Sequence, residues 1–390
     1  MKCQEKFFEI YKHEPTDTAF CPYRICPLGA HSDHQHGKVT GFAIDKGINI
    51  AFGPKRNGVI ELVSLDFDKR AQFFVDRVPE TKENDWADYL RGATIALESK
   101  YSLRTGLCGV IEGSLPIGGL SSSAAVVLAY LVALCKVNGI HPSKEELIGM
   151  SVWAENNYVG VSSGTLDQSC ELYCKENSLL YLDTKTGEYT NIKQNENMPP
   201  YEFMIVFSGV ERSLAGSKFN MRVDECRSAG YALLAFSGSE YGKFNETFLR
   251  DVPRSVYDEY KNKLPVNWAK RAEHWYSEFQ RVEKGANLWE AGDIEGFGKL
   301  VFESGRSSIE NYETGSPELK AIYDIMLSTK GIYGGRFSGA GFKGCCMSII
   351  NPDYKEEIAK KVEKEYLKQF PQYKDSFKIA FCHSVDGLQF

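Results

Sequence analysis

Short apolar runs and longer helical periods alternate along the 390 residues, and no stretch repeats another. In the first half, compact runs at residues 48–52, 59–67 and 107–112 predict strands. Residues 121–137 predict a helix whose start can be capped by serines and whose end is marked by Gly139. Its middle, 124–135, is apolar on every side, the pattern of a helix buried all round. A second helix is predicted over 144–158, opened by Pro142 and Ser143, with Glu145, Glu146 and Glu155 forming an acidic face. The Gly/Ser/Thr stretch 159–165 ends that pattern.

Residues 193–201, rich in Asn and Pro, lose periodicity and mark a boundary that divides the chain into 1–195 and 196–390. Beyond it the pattern predicts a buried strand at 203–207 and helices at 217–236, 270–291 and 293–307. A glycine-dense segment at 331–344 follows, then strands at 345–350 and 377–383 around a charged helix at 354–369. Both halves read as α+β.

Composition narrows the function. A net charge of -6 argues against a nucleic-acid partner, whose phosphates require clustered Lys and Arg, so small molecules are the expected partners. Eleven cysteines, an odd number set in hydrophobic runs, indicate reduced, cytoplasmic usage, and no Cys-x-x-Cys pair supports a thiolate zinc site. The first fifteen residues lack the continuous hydrophobic stretch of a signal peptide, and the run 124–135 is too short to span a bilayer, so no membrane partner is expected.

Three segments carry candidate chemistry. In the first, Gly118-Gly119-Leu120-Ser121-Ser122-Ser123-Ala124 runs straight into the buried helix. Glycines let a backbone approach an anion, helix-start amides point at it, and hydroxyls add donors or a magnesium ligand, so the segment reads as a phosphate loop. An ordinary Gly/Ser turn is the competing reading; a Walker loop is not, because no Gly-Lys-Ser/Thr follows. The second segment, residues 22–37, gathers Arg24, Ala30, His31, Asp33, His34 and His36. Charged hydrogen-bonding groups at this density suit a polyhydroxylated substrate; a metal site at His31, His34 and His36, or a solvated turn, are the alternatives. The third, residues 331–346, holds so many glycines before a strand that its backbone must approach a ligand or a neighbouring domain closely.

In this order the three segments resemble the motifs of the GHMP kinases, and among them the galactokinase family. The resemblance extends over nearly the whole chain, through Trp86-Ala87-Asp88-Tyr89, Gly164-Thr165-Leu166-Asp167-Gln168, Asn220-Met221-Arg222 with Cys226, and Arg271-Ala272-Glu273-His274 with Arg281. The wording of 22–31, 307–313 and 336–342 is most similar to galacturonokinases. The resemblance implies a ribosomal-protein-S5-like amino-terminal domain, a ferredoxin-like carboxy-terminal domain, and an active site between them. It implies transfer of the γ-phosphoryl of MgATP to a sugar's anomeric hydroxyl by a monomer or weak homodimer. Asp167 then matches the catalytic carboxylate and Arg24 the arginine facing it; otherwise they would read as an N-cap and a surface pair. Ser123, beside Ser122, and Glu155 match the magnesium ligands, against a solvated-face reading for Glu155. His31, Asp33 and Gly164 match sugar contacts, in place of the metal reading.

Three positions depart from the galactokinase pattern. Ala30 stands where galactokinases usually carry a Glu that accepts from the sugar's 6-hydroxyl. A glutamate there would repel a 6-carboxylate, so alanine favours galacturonate over galactose. Phe219 replaces a sugar-contacting Tyr, and the phosphate loop is one residue shorter. Arg212 and Lys218 are the cations that family analogy brings near the sugar. Galactose itself as acceptor, a catalytically silent sugar and ATP sensor on the same scaffold, and a non-sugar acceptor such as mevalonate or homoserine are the rival readings.

Overall fold

A computed structural model describes residues 2–210, 216–342 and 344–390, the side chains of 216–218 excepted. After a helix at Lys2–Tyr11, strand β1 (Asp17–Ile25) pairs antiparallel with the long β2 (Lys38–Lys55). The first sheet continues with β3 (Val59–Ser64), β4 (Lys69–Phe74), β5 (Gly106–Gly113), β6 (Ser178–Asp183) and β7 (Tyr189–Lys193), in the order β4-β3-β5-β2-β6-β7 with β1 also on β2. Within it β3 and β5 run parallel. The second sheet is antiparallel, built from β8 (Glu202–Phe207), β9 (Ile332–Phe337), β10 (Cys345–Ile350) and β11 (Lys378–Cys382) in the order β11-β8-β10-β9. The last strand, β12 (Ser384–Val385), returns to pair with β2 at Ile44 and Ala43.

Every residue of β8 and β10 is buried, which is why they read as unbroken apolar runs. Side chains alternate across a sheet, so the two faces serve different cores. Phe203, Ile205, Phe207, Cys345, Met347 and Ile349 join a core that also holds Phe42, Leu128 and Trp289. Met204, Val206, Cys346 and Ile350 face a second core with Ile325, Met326 and Tyr366.

The buried helix spans Ser122–Asn138, and Gly139 closes it in the left-handed conformation with its amide on Cys135 O and Lys136 O, as the sequence predicts. The serine cap is corrected: Ser121 is itself left-handed, at φ 63°, and makes no side-chain capping bond. The next helix is capped at Ser143 by a reciprocal box with Glu146 and runs Lys144–Trp153, then widens into a π turn, Ala154–Val159. Glu155 leaves the expected acidic face and turns into the protein, where it is 4% exposed; at 3.6 residues per turn it falls on the side of the helix opposite Glu146. Among the described residues, no helix is long and apolar enough to cross a membrane.

Candidate functional site

The phosphate-loop segment links β5 to the helix Ser122–Asn138 through left-handed backbone at Gly118 (φ 139°), Gly119 (φ 84°) and Ser121. This geometry leaves first-turn amides and the half-buried Ser122 and Ser123 at the helix start, with Ala124 buried behind them. The third segment closes against it from the second sheet. A Cβ on Gly339 would stand 2.8 Å from Gly119 Cα, and one on Gly344 would stand 2.9 Å from the Gly118 carbonyl carbon. The close approach expected for this segment is therefore to the phosphate loop.

Arg24 joins these pieces. It lies in β1, 5% exposed, and its Nε donates to Asp167 Oδ1 at 2.7 Å. Its Nη1 donates to Gly119 O at 3.0 Å and reaches Ser338 Oγ at 3.5 Å, while its backbone amide donates to Leu120 O. Burial pulls the guanidinium's pKa down, but the charge and hydrogen bond of Asp167 outweigh it and the net shift is upward. Asp167 sits in the first turn of the helix Leu166–Tyr173, its carboxylate 26% exposed.

Nearby, Glu155 Oε2 accepts from Ser163 Oγ at 2.8 Å and Gln168 Nε2 at 3.0 Å, and the Ser123 side chain lies close enough to pull the pKa of this carboxyl down. Burial first, then the Asp167 charge, raises its pKa. Glu155 and Ser123, twinned in the sequence reading, thus do meet, and the solvated-face reading of Glu155 falls.

The sugar-motif segment is buried and held from the second half of the chain. Gly29 N donates to Glu278 Oε1 at 2.7 Å, and Ala30 O accepts from His274 Nε2 at 3.0 Å. His31 stacks on Tyr312 with ring centroids 4.4 Å apart and donates from Nε2 to Gly339 O at 2.9 Å. His34 shares a hydrogen bond with Tyr312 Oη at 2.9 Å and meets Phe219 edge-on, whereas His36 stacks separately on Phe248. Burial, then Arg336, pushes His31 well below its ordinary pKa; burial, then Arg227, takes His34 to about 3. Neither the metal reading nor the solvated turn survives: His31 and His34 are 6% and 7% exposed, and among the described residues no three potential ligands cluster.

Asp33 accepts from Leu166 N at 3.4 Å, and burial followed by the Asp167 charge lifts its pKa to about 6. Gly164 packs so tightly on Asp33 Oδ2 that a Cβ there would collide with it. Beside them opens a cavity of about 350 Å³ with Asp33, His34, Gly164, Thr165 and Arg227 in its wall. Glu278, His274, Tyr312 and Arg227 did not stand out as candidate site residues in the sequence, since each sits among other polar residues of a helical or loop pattern with nothing to mark which of them turns inward. Arg212 lies outside the described residues, as does the side chain of Lys218.

Comparison with known proteins gives the family of this chain. The model of the GHMP kinases N terminal domain matches residues 88–175, and that of the GHMP kinases C terminal region matches residues 286–369. A galacturonokinase of Arabidopsis thaliana is 40% identical, covering 94% of this chain and 92% of its own. A galactokinase of Clostridium acetobutylicum is 30% identical over 99% of this chain and 97% of its own. The crystal structure of Lactococcus lactis galactokinase complexed with galactose superposes with a TM-score of 0.89 at 25% identity, covering 99% of this chain and 98% of that one.

Proposed function

This chain belongs to the GHMP kinases and has their two-domain α+β fold, and from that premise we propose that it phosphorylates galacturonate at the anomeric hydroxyl, using ATP. The observation that carries the chemistry is the Arg24–Asp167 ion pair tied to Gly119 O, which sets an acceptor-side carboxylate against the phosphate loop. Asp167 takes the proton of the anomeric hydroxyl as its oxygen bonds to the γ-phosphorus and the bond to the ADP oxygen breaks. Arg24 orients Asp167 through its 2.7 Å hydrogen bond and offsets negative charge on the moving phosphoryl group. Asp33 accepts from ring hydroxyls beside Gly164, and the amides of residues 118–124 with Ser122 hold the nucleotide phosphates.

The oxygen donors Ser123 and Glu155, one of them a buried carboxyl, fit a hard cation and would hold magnesium. Magnesium would supply charge neutralisation on the phosphate oxygens. The eleven cysteines, all free and buried, suit a reducing compartment such as the cytoplasm.

The acceptor follows from Ala30, a nearly buried methyl where the resemblance places a carboxylate. A neutral, short side chain there removes like-charge repulsion against an acid at C6. ADP release measured with galacturonate and galactose tests the proposal, and kcat/KM should be higher for galacturonate. Galactose better by a wide margin would defeat the uronate reading; no ADP from any hexose or uronate would defeat the kinase reading.

A further inference from the structure

The cavity beside Asp33 and Gly164 holds a guanidinium that has no close anion among the described residues. Neighbouring arginines are neutralised at short range: Arg24 by Asp167 at 2.7 Å, Arg250 by Asp183 at 2.6 Å, and Arg271 by Glu225 at 2.6 Å. Arg222 likewise meets Glu225 at 2.9 Å. Among the described residues Arg227 pairs with Asp224 alone, at 3.7 Å, and that carboxylate is 61% exposed, where an ion pair contributes little. Its Nε, like that of Arg222, is buried without a hydrogen-bond partner among the described residues, a costly arrangement for a charged donor.

Placement points the same way. Arg227 lies in the helix Gly216–Ser237, two turns beyond Asn220 and so on the same side of it. Asn220 is pinned to the acceptor loop, accepting from Ser162 N at 3.1 Å and donating to Gly160 O at 3.1 Å, and the adjacent Phe219 packs on His34. The helix therefore delivers Arg227 to the cavity wall opposite no acid of its own. Two charged side chains line that wall, Asp33 and Arg227. Asp33 suits hydroxyl donors, and Arg227 suits an acid.

We propose that Arg227 receives the 6-carboxylate of the acceptor and thereby sets the preference for a uronic acid over a neutral hexose. The assignment rests on the galacturonate reading above and adds the attractive half of the specificity, Ala30 removing the repulsive half. A guanidinium can take a carboxylate through two parallel N–H···O bonds, and the acceptor's charge is met on entry rather than left desolvated.

Steady-state kinetics of the full chain with R227M and R227K test it. R227M should raise the KM for galacturonate by roughly ten-fold, R227K should recover part of that loss, and galactose turnover should suffer less because it carries no acid. A galacturonate KM within about two-fold of the unmodified protein, or an equal loss on both sugars, overturns the role of Arg227. If the unmodified protein turns over galactose but not galacturonate, it is the acceptor reading that fails, and this assignment with it.

Discussion

Asp33 shows how a single residue's surroundings set a working range. To accept from two hydroxyls it must be ionised, yet burial and the neighbouring Asp167 lift its pKa from 3.8 to about 6. Folding thus favours the protonated form; the stability that this confers is complete below about pH 4 and is lost as pH climbs through about 6. Sugar binding runs the other way, since only the carboxylate accepts at both oxygens. The KM for the sugar should therefore climb as pH falls below about 6, and D33N should show a high KM with no such acid limb. A sugar KM that stays level across that range in the unmodified protein would remove the ionised role. The motifs single out Asp33, Arg24 and Asp167, and the fold brings the three together. Their mutual electrostatics were not legible in the motifs, because no spacing in the sequence says that residue 24 touches residue 119.

Among the elements, those that bury side chains on a regular period were the most legible. The helix Ser122–Asn138 and strands β8 and β10 announce themselves through apolar runs with clear ends. β9 did not, because Gly334 and Gly335 erase its side-chain pattern. The reason is packing, since the helix Ile294–Glu310 lies so close that a Cβ on Gly334 would stand 2.6 Å from Gly298 Cα. β1 hid behind Pro22 and Arg24, which it tolerates through a bulge between Pro22 and Tyr23 and through the ion pair to Asp167. The same contrast between shape and pattern gives a test at the phosphate loop. Gly119 and Gly139 share a left-handed conformation, at φ 84° and 65°, but a Cβ on Gly119 would meet Cys345 Sγ at 2.7 Å whereas one on Gly139 meets nothing within 4 Å. G119A should therefore lower kcat/KM for ATP by ten-fold or more, while G139A should keep turnover and lose only about 1 kcal/mol of stability. Equal effects of the two substitutions on turnover would mean that backbone strain alone, and not the apposition of the two glycine segments, shapes the loop.

At the scale of the whole molecule, both sheets share one hydrophobic core, although the sequence pattern suggests a boundary near residue 195. Phe203 of β8 is fully buried with its ring 4.9 Å from Phe42 of β2, which in turn lies 5.1 Å from Trp289. β12 crosses back to β2, so the last strand of the chain is held by one of the first. A core continuous through both halves couples their unfolding, because neither sheet can separate without exposing the aromatic side chains they share. Loss of tryptophan fluorescence and loss of kinase activity should then coincide in urea. F203A, which leaves a cavity between the sheets, should lower the stability by about 3–5 kcal/mol and move both probes together. Two separated transitions, with only one displaced by F203A, would mean that the halves fold independently and that the cleft between them is held by surface contacts rather than by a common interior. The distinction bears on catalysis, because Arg24 and His31 from the first sheet's side meet Ser338 and Gly339 from the second only while that interior stays closed.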